Sequence, residues 1–365
     1  MKIDEFCTYA RKSGIKAGAA TGDGQYMFFT SSEDESKRYS DYLFDGEGII
    51  MGTGGNATLH FYNGKYAVST DCIVLLPDDR VRCKYLYYFF LANMALLEAG
   101  FKGAGLKHTN KKYIGNIELN RLPSHKEQDD IVNIMNMVTQ IIQSRKYELE
   151  RLDDLIKARF VEMFGDPVHN EKCWPTKPLE DICSSIVDCP HSTPSYTFED
   201  TGYMCIRTSI VKKNRILWDE IEYIPKEEYE QRIQRKKPEK GDVIYTREGA
   251  ILGIAAVIDR DCNVALGQRS MLLSPAKEFC TSEFLSVAMN FDSFLASALE
   301  GMSGSASPHI NVGDIKAFKM ILPPVNEQER YSAFVAEVDK SKFAVQKSLE
   351  ETQKLFDSLM QKFYK

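Results

Sequence analysis

Apolar side chains between residues 126 and 164 recur at Ile131, Met135, Val138, Ile142, Leu149, Leu152, Ile156 and Met163, stepping by four and three, with Arg145 and Arg159 interrupting the row. No proline falls in this stretch, and Gly165 follows it where a helix stop belongs. The pattern predicts one continuous helix with a seven-residue seam, roughly 39 residues and about 58 Å long. Adding 200 to each position gives Tyr331, Val335, Val338, Lys342, Val345, Leu349, Thr352, Phe356, Leu359 and Phe363, and eight of these ten are apolar. A seam so narrow is buried most simply by a second of the same kind. Packing of each helix on its own domain is the alternative, and two seams in one register favour mutual pairing.

The starts of the two helices also repeat. LPSHKEQDDI at 122 to 131 returns as LPPVNEQERY at 322 to 331. Ser124 and Glu127 have the spacing of a capping box, while in the second copy Pro324 replaces the serine and Asn326 is the available cap. Weaker echoes precede each helix. YMFFTSS (26 to 32) matches YMCIRTS (203 to 209), GIIMGTGG (48 to 55) matches DVIYTREG (242 to 249), STDCIVLL (69 to 76) matches GQRSMLLS (267 to 274), and KHTNKKYIGNI (107 to 117) matches SPHINVGDIKAF (307 to 318).

Short β-type runs at Gly48 to Met51, Ala67 to Leu76, Asp242 to Tyr245 and Ile254 to Ile258 alternate with helical stretches at Val81 to Glu98 and Thr281 to Leu299. The expected fold class is therefore α+β: two similar α/β domains separated by two long helices that pair as an antiparallel coiled coil about a pseudo-twofold axis. The boundaries are 1–121 for the first domain, 122–165 for the first helical spacer, 166–321 for the second domain and 322–365 for the second spacer, with GDPVHNEKCWP (165 to 175) as linker.

Composition narrows the function classes. A chain of 365 residues with 43% hydrophobic and 27% charged residues is that of a soluble globular protein of two domains. No apolar run approaches the length of a membrane span, and MKIDEFCTYARKSG carries no secretory h-region, so the expectation is a cytoplasmic protein with no membrane association. Nine scattered cysteines without a C-x-x-C pair, and six histidines without ligand spacing, fit neither a disulfide framework nor a metal site. The net charge of −6 argues against indiscriminate nucleic-acid binding but leaves room for a local basic face. Walker A, His-Glu-x-x-His and Asn-Pro-Pro-aromatic patterns are missing, and the only Pro-Asp pair, Pro77-Asp78, is not followed at nuclease-like spacing by an acid-x-Lys, so the chain is read as non-catalytic. GTGGN (52 to 56) lacks the following Lys-Ser/Thr of a phosphate loop and is read as a turn.

Two similar domains held by antiparallel helices let one polypeptide imitate a symmetric dimer. Dimeric DNA readers use that layout to engage half-sites a helical turn, roughly 34 Å, or more apart. Unlike domains imply unlike half-sites.

The segments YMFFTSS, VDCPHSTPSY followed by YMCIRTS, GDVIYTREGAILG, SASPHINVGDIKAFKMILPPVNEQE and the helix ending ARFVEMFGD resemble the specificity subunit of type I restriction-modification systems, over nearly the whole chain. The resemblance implies two target recognition domains and two helical conserved regions. It implies double-stranded DNA, two methyltransferase subunits and, in the full nuclease, restriction subunits as partners. No cofactor is implied for this chain, S-adenosylmethionine belonging to the methyltransferase. Residues 1 to 121 form a shorter unit and lack the Trp-Pro lead of Trp174 and Pro175. The alternative is a coiled-coil interaction scaffold with no DNA specificity of its own.

Residues 101 to 121 hold five Lys/Arg against one Glu, making Lys102, Lys107 and His108 candidate phosphate contacts. The corresponding GMSGSASPHIN offers Ser303, Ser305 and His309. For base edges the candidates are Arg207, Thr208 and Ser209, their counterparts Thr30, Ser31 and Ser32, and Arg247 and Arg269 after strand-like segments. An ion pair inside the domain is the competing role for each arginine. For partner chains, the apolar positions off the main seam are Ile134, Ile141, Leu155, Phe160, Phe334 and Leu355, which could equally widen the intramolecular core.

Overall fold

The computed structural model describes residues 1–103, 105, 107–300 and 309–365. The chain packs as two compact units, residues 1–147 with 346–365, and residues 148–345.

In the first unit β1 (Cys7–Tyr9), β2 (Tyr26–Phe29), β3 (Arg38–Tyr39), β4 (Phe44–Gly52), β5 (Leu59–Val68) and β6 (Cys72–Pro77) form one sheet in the order β1-β6-β4-β5-β2-β3. Only β2 and β5 pair in parallel, with Met27 opposite Tyr66, Phe28 opposite Ala67 and Phe29 opposite Val68. The apolar run from Ala67 to Leu76 is thus not one strand. β5 ends in it, the chain turns at 69–71, and β6 begins. Next come α1 (Cys83–Ala92), α2 (Met94–Glu98), α3 (Lys111–Gly115) and the long α4 (His125–Phe164). Ile49, Leu75, Leu86 and Phe90 centre the core between sheet and helices. The expected helix from Val81 to Glu98 breaks at Asn93, whose side chain donates to the carbonyls of Phe89 (2.9 Å) and Tyr364 (3.3 Å).

The second unit contains β7 (Thr176–Pro178), α5 (Leu179–Ile182), β8 (Cys183–Asp188), β9 (Met204–Ile206), β10 (Val211–Lys212), β11 (Arg215–Ile216), β12 (Glu222–Tyr223), α6 (Lys226–Arg232), β13 (Val243–Thr246), β14 (Ala255–Val257), β15 (Val264–Leu266) and β16 (Ser270–Pro275). These precede α7 (Ser282–Met289), α8 (Asp292–Leu299), α9 (Val312–Ala317), β17 (Lys319–Ile321) and the long α10 (Val325–Tyr364). Its larger sheets run β14-β13-β16-β8 and β12-β9-β15. β9 pairs in parallel with β15, Met204 opposite Val264 and Ile206 opposite Leu266, which repeats the β2 and β5 arrangement. The echo between YMFF and YMCI is therefore the same strand in the same role.

α4 and α10 are each 40 residues long. In the first unit Ile131 and Met135 of α4 share a core with Met360 and Tyr364 of α10. In the second unit Ile156, Phe160 and Phe164 share one with Tyr331, Val335 and Val338. The beginning of one helix meets the end of the other in both places, so the pairing is antiparallel. Every predicted seam residue is buried or half-buried. Lys342, which breaks the second row, bonds Asp153 at 2.6 Å across the helix pair. The charge is kept within the seam by a partner rather than left bare.

The capping box at the start of α4 is present: the Ser124 N–H donates to Glu127 Oε2 at 2.8 Å, and the Glu127 N–H donates to Ser124 Oγ at 3.3 Å. α10 begins one residue before Asn326, which is therefore inside the helix and not its cap. The carbonyl of Pro324 accepts from Glu327 (2.9 Å) and Gln328 (3.2 Å) instead. After α4, the Trp174 indole donates to the Phe164 carbonyl at 3.0 Å and covers the helix end. Six of the nine cysteines are buried and all nine are free thiols.

Candidate nucleic-acid interface

The parallel strand pair in each unit ends beside a turn that is tied down in the same way. In the first unit the N–H of Ser69 donates to the Phe29 carbonyl (2.8 Å), that of Thr53 to Asp71 (2.8 Å), and that of Thr109 to Thr53 (3.0 Å). In the second, Gly267 donates to Ile206 (2.9 Å), Arg247 to Arg269 (3.0 Å), and Ile310 to Arg247 (2.8 Å). Backbone bridges join Gly54 to His108 and Glu248 to His309. Gly55 (φ +84°) and Gly249 (φ +91°) make the same left-handed turn. Thr53, Asp71 and Thr109 thus stand where Arg247, Arg269 and Ile310 stand in the other unit. One backbone framework displays two sets of side chains.

In the first unit the framework carries a basic ribbon. Lys102 and His108 exchange backbone hydrogen bonds of 3.0 and 3.1 Å, and the Lys107 carbonyl accepts from Gly55 at 2.9 Å. Lys102, Lys107 and His108 are all exposed. Beside them a cavity of about 220 Å³ is lined by Arg11, Lys12, Lys111, Thr53, Thr70 and Thr109, among others. Arg11, Lys12 and Lys111 are not among the candidates named from the sequence. The dipeptide Arg11-Lys12 was a visible signal, but its nearness to Lys111 depends on the fold.

Several candidates for base contact are engaged inside their units. Thr30 is 4% exposed, and its hydroxyl and that of Ser32 each accept a 2.8 Å bond from Lys37. Ser31 donates to the Asp71 carbonyl at 2.6 Å. These three hydroxyls are engaged at the strand end, bracing it from within the unit. Arg247 is engaged as well. It is 7% exposed and forks onto Asp188, Nε to Oδ1 at 3.0 Å and Nη2 to Oδ2 at 3.3 Å. A buried guanidinium requires such a carboxylate, and this ion pair is the competing role named for it. Arg207 lies over the Tyr196 ring at 5.0 Å and bonds both oxygens of Glu222 at 2.7 and 2.8 Å. Those hydrogen bonds to Glu222 hold its pKa above the usual arginine value.

Thr208 and Ser209 occupy a single 3-10 turn, and the Ser209 carbonyl accepts from Lys212 at 2.8 Å. Arg269 and His309 are exposed. Arg269 makes no side-chain hydrogen bond or ion pair with any described residue. Ser303 and Ser305 lie outside the described residues.

On the long helices Ile141 (45% exposed), Leu155 (45%) and Leu355 (51%) present apolar surface, and Ile134 and Phe334 are half-buried. Phe160 does not: at 0% it packs on Phe164, Phe284, Phe291 and Tyr331, and belongs to the core of the second unit. Truncating such a side chain removes about 3–5 kcal/mol of stability. Met137 (56% exposed), not among the candidates named from the sequence, completes a row with Ile134 and Ile141, spaced three and four. Among the described residues no cluster could hold a metal ion, and no helix is long and apolar enough to cross a membrane.

The sequence matches the family described as Type I restriction modification DNA specificity domain over residues 1–152 and 171–353. It is 22% identical over 327 residues to the type I restriction enzyme MjaVIII specificity subunit of Methanocaldococcus jannaschii, covering 86% of this chain and 76% of that one. It is 27% identical over 143 residues to the EcoDI specificity subunit of Escherichia coli, covering 39% of this chain and 32% of that one. Among solved structures, the type I restriction-modification S subunit from M. genitalium superposes with a TM-score of 0.64 at 14% identity, covering 100% of this chain and 95% of that one. A chain from a structure described as addressing complex assembly and conformational transition of the type I R-M system has a TM-score of 0.52 at 16% identity, covering 100% and 97%.

Proposed function

Since the chain belongs to the type I restriction-modification specificity subunits, the non-catalytic components that determine which DNA the complex acts on, we propose that its two units read the two unlike halves of one asymmetric, interrupted duplex target. The observation that carries this reading is the repeated strand-end framework with different side chains on it. Thr53 and Asp71 in one unit stand where Arg247 and Arg269 stand in the other, with the same backbone hydrogen bonds. Equal scaffolds with unequal side chains suit unequal half-sites.

Lys102, Lys107 and His108 serve the phosphate backbone in the first unit, with Arg11, Lys12 and Lys111 nearby, and His309 does so in the second. Two methyltransferase subunits bind the exposed apolar positions of the long helices, and restriction subunits join in the full nuclease. The methyl donor belongs to the methyltransferase. Footprinting of the assembled methyltransferase tests the reading. Two protected short sequences with a less specific gap between them are expected. A uniform or absent footprint would favour a scaffold without DNA specificity of its own.

A further inference from the structure

One position in the framework carries a charged side chain that no described residue satisfies, and its sign differs between the units. Asp71 and Arg269 are equivalent, because each gives its carbonyl to the N–H of the matching residue, Thr53 at 2.8 Å and Arg247 at 3.0 Å. Both are exposed, and neither side chain forms a hydrogen bond or ion pair with a described residue. Arg269 holds a left-handed backbone with φ +72°. Its guanidinium lies over Gly249, with Nη1 3.4 Å from where a Cβ would stand, an ordinary contact distance.

The charges around each position sharpen the question. Arg207 and Arg247 are satisfied by Glu222 and Asp188, which leaves Arg269 as the unsatisfied member of the three candidate arginines. Asp71 sits in the framework that carries the exposed Lys102, Lys107 and His108. A bare carboxylate on a face that meets phosphates is repelled by them. It becomes favourable when it receives hydrogen bonds from a base amino group. A guanidinium only donates and a carboxylate only accepts. In the major groove the first suits guanine O6 and N7 and the second suits cytosine N4.

We infer that Asp71 and Arg269 are specificity-determining residues at one shared position, Arg269 reading a guanine in one half-site and Asp71 a cytosine amino group in the other. The inference rests on the reading that each unit engages one half of the target.

The test is to assemble the full chain with its methyltransferase subunits and sequence the methylated sites for wild type, Asp71→Asn, Asp71→Ala, Arg269→Gln and Arg269→Ala. Arg269 variants should relax one guanine position in a single half-site, with the glutamine shifting preference toward adenine. Asp71 variants should relax one cytosine position in the other half-site. Discrimination at the affected position should fall about five- to hundredfold, the range for loss of one good base contact. Gel filtration of each assembled variant separates a lost contact from lost assembly. Unchanged recognition sequences, relaxation of the same half by both sets, or a uniform fall at all sites would overturn the assignment. So would a wild-type target lacking guanine in one half and cytosine in the other. A wild-type complex that methylates without any two-part sequence would sink the half-site reading itself, and this assignment with it.

Discussion

Gln128 and Gln328 are both fully buried and make the same three hydrogen bonds. Gln128 accepts from the N–H of Arg82 (2.7 Å) and donates to the carbonyls of Arg80 (3.1 Å) and Pro123 (2.9 Å). Gln328 accepts from Thr281 (3.0 Å) and donates to Phe279 (3.0 Å) and Pro323 (2.8 Å). Arg82 and Thr281 are the residues that cap α1 and α7. The repeated Leu-Pro-x-x-x-Glu-Gln thus does more than start a helix. It fastens each long helix to the first turn of its unit's own helix. Gln128→Leu should leave one N–H and two carbonyls without partners and cost about 3 kcal/mol. Gln328→Leu should do the same in the second unit. Urea unfolding gives the size, and faster hydrogen exchange at the start of α1 or α7 locates it. Unaltered exchange at those turns would refute the fastening role.

Arginines in the second unit should separate by role. Arg247→Met leaves the Asp188 carboxylate, which is 15% exposed, with only His191 at 3.2 Å among the described residues, and should destabilise the protein by about 3 kcal/mol. Arg269→Ala should change stability by no more than about 0.5 kcal/mol, since among the described residues none takes a hydrogen bond or ion pair from its guanidinium. Thermal or urea melts of the two variants side by side check this. Equal losses would contradict the separation.

Ile141 is exposed on α4 in a row with Ile134 and Met137. Ile141→Glu should leave the melting temperature nearly unchanged while weakening assembly with the methyltransferase about tenfold or more, as for a central apolar contact. Analytical ultracentrifugation or calorimetry of the purified subunits measures it. Undiminished assembly would move the partner surface elsewhere.

Acid should release one surface tie. The hydrogen bond from Lys213 at 2.8 Å holds the Asp292 carboxyl below its ordinary value of 3.8. A carboxylate depressed in the folded state contributes stability above the unfolded value and loses it as pH falls through the lower, folded one. The contribution is therefore complete at neutral pH and fades only in strong acid. Salt should reduce it, because both side chains are exposed. Lys213→Met should return the Asp292 titration to the ordinary range, as followed by carboxyl carbon NMR.

The helices and the repeat were legible because their signals are local or repeated. Spacing of apolar residues by three and four sets which face of a helix is buried, whatever covers it, and the repeat showed that a matching seam existed. The strand positions were legible more coarsely. The turn at 69–71 divides an apolar run that spacing alone reads as one strand, and Asn93 divides a helical one.

The reading face was the least legible part. By itself the sequence determined the candidates and their equivalence, down to the pairing of STDC with GQRS. Only the tertiary structure decided which side chains are already occupied. Arg247 meets a carboxylate 59 residues away and Arg207 one 15 residues away, whereas Arg269 meets none among the described residues. Periodicity is a property of neighbouring residues along the chain. Hydrogen-bond satisfaction is a property of neighbours in space, and folding chooses those.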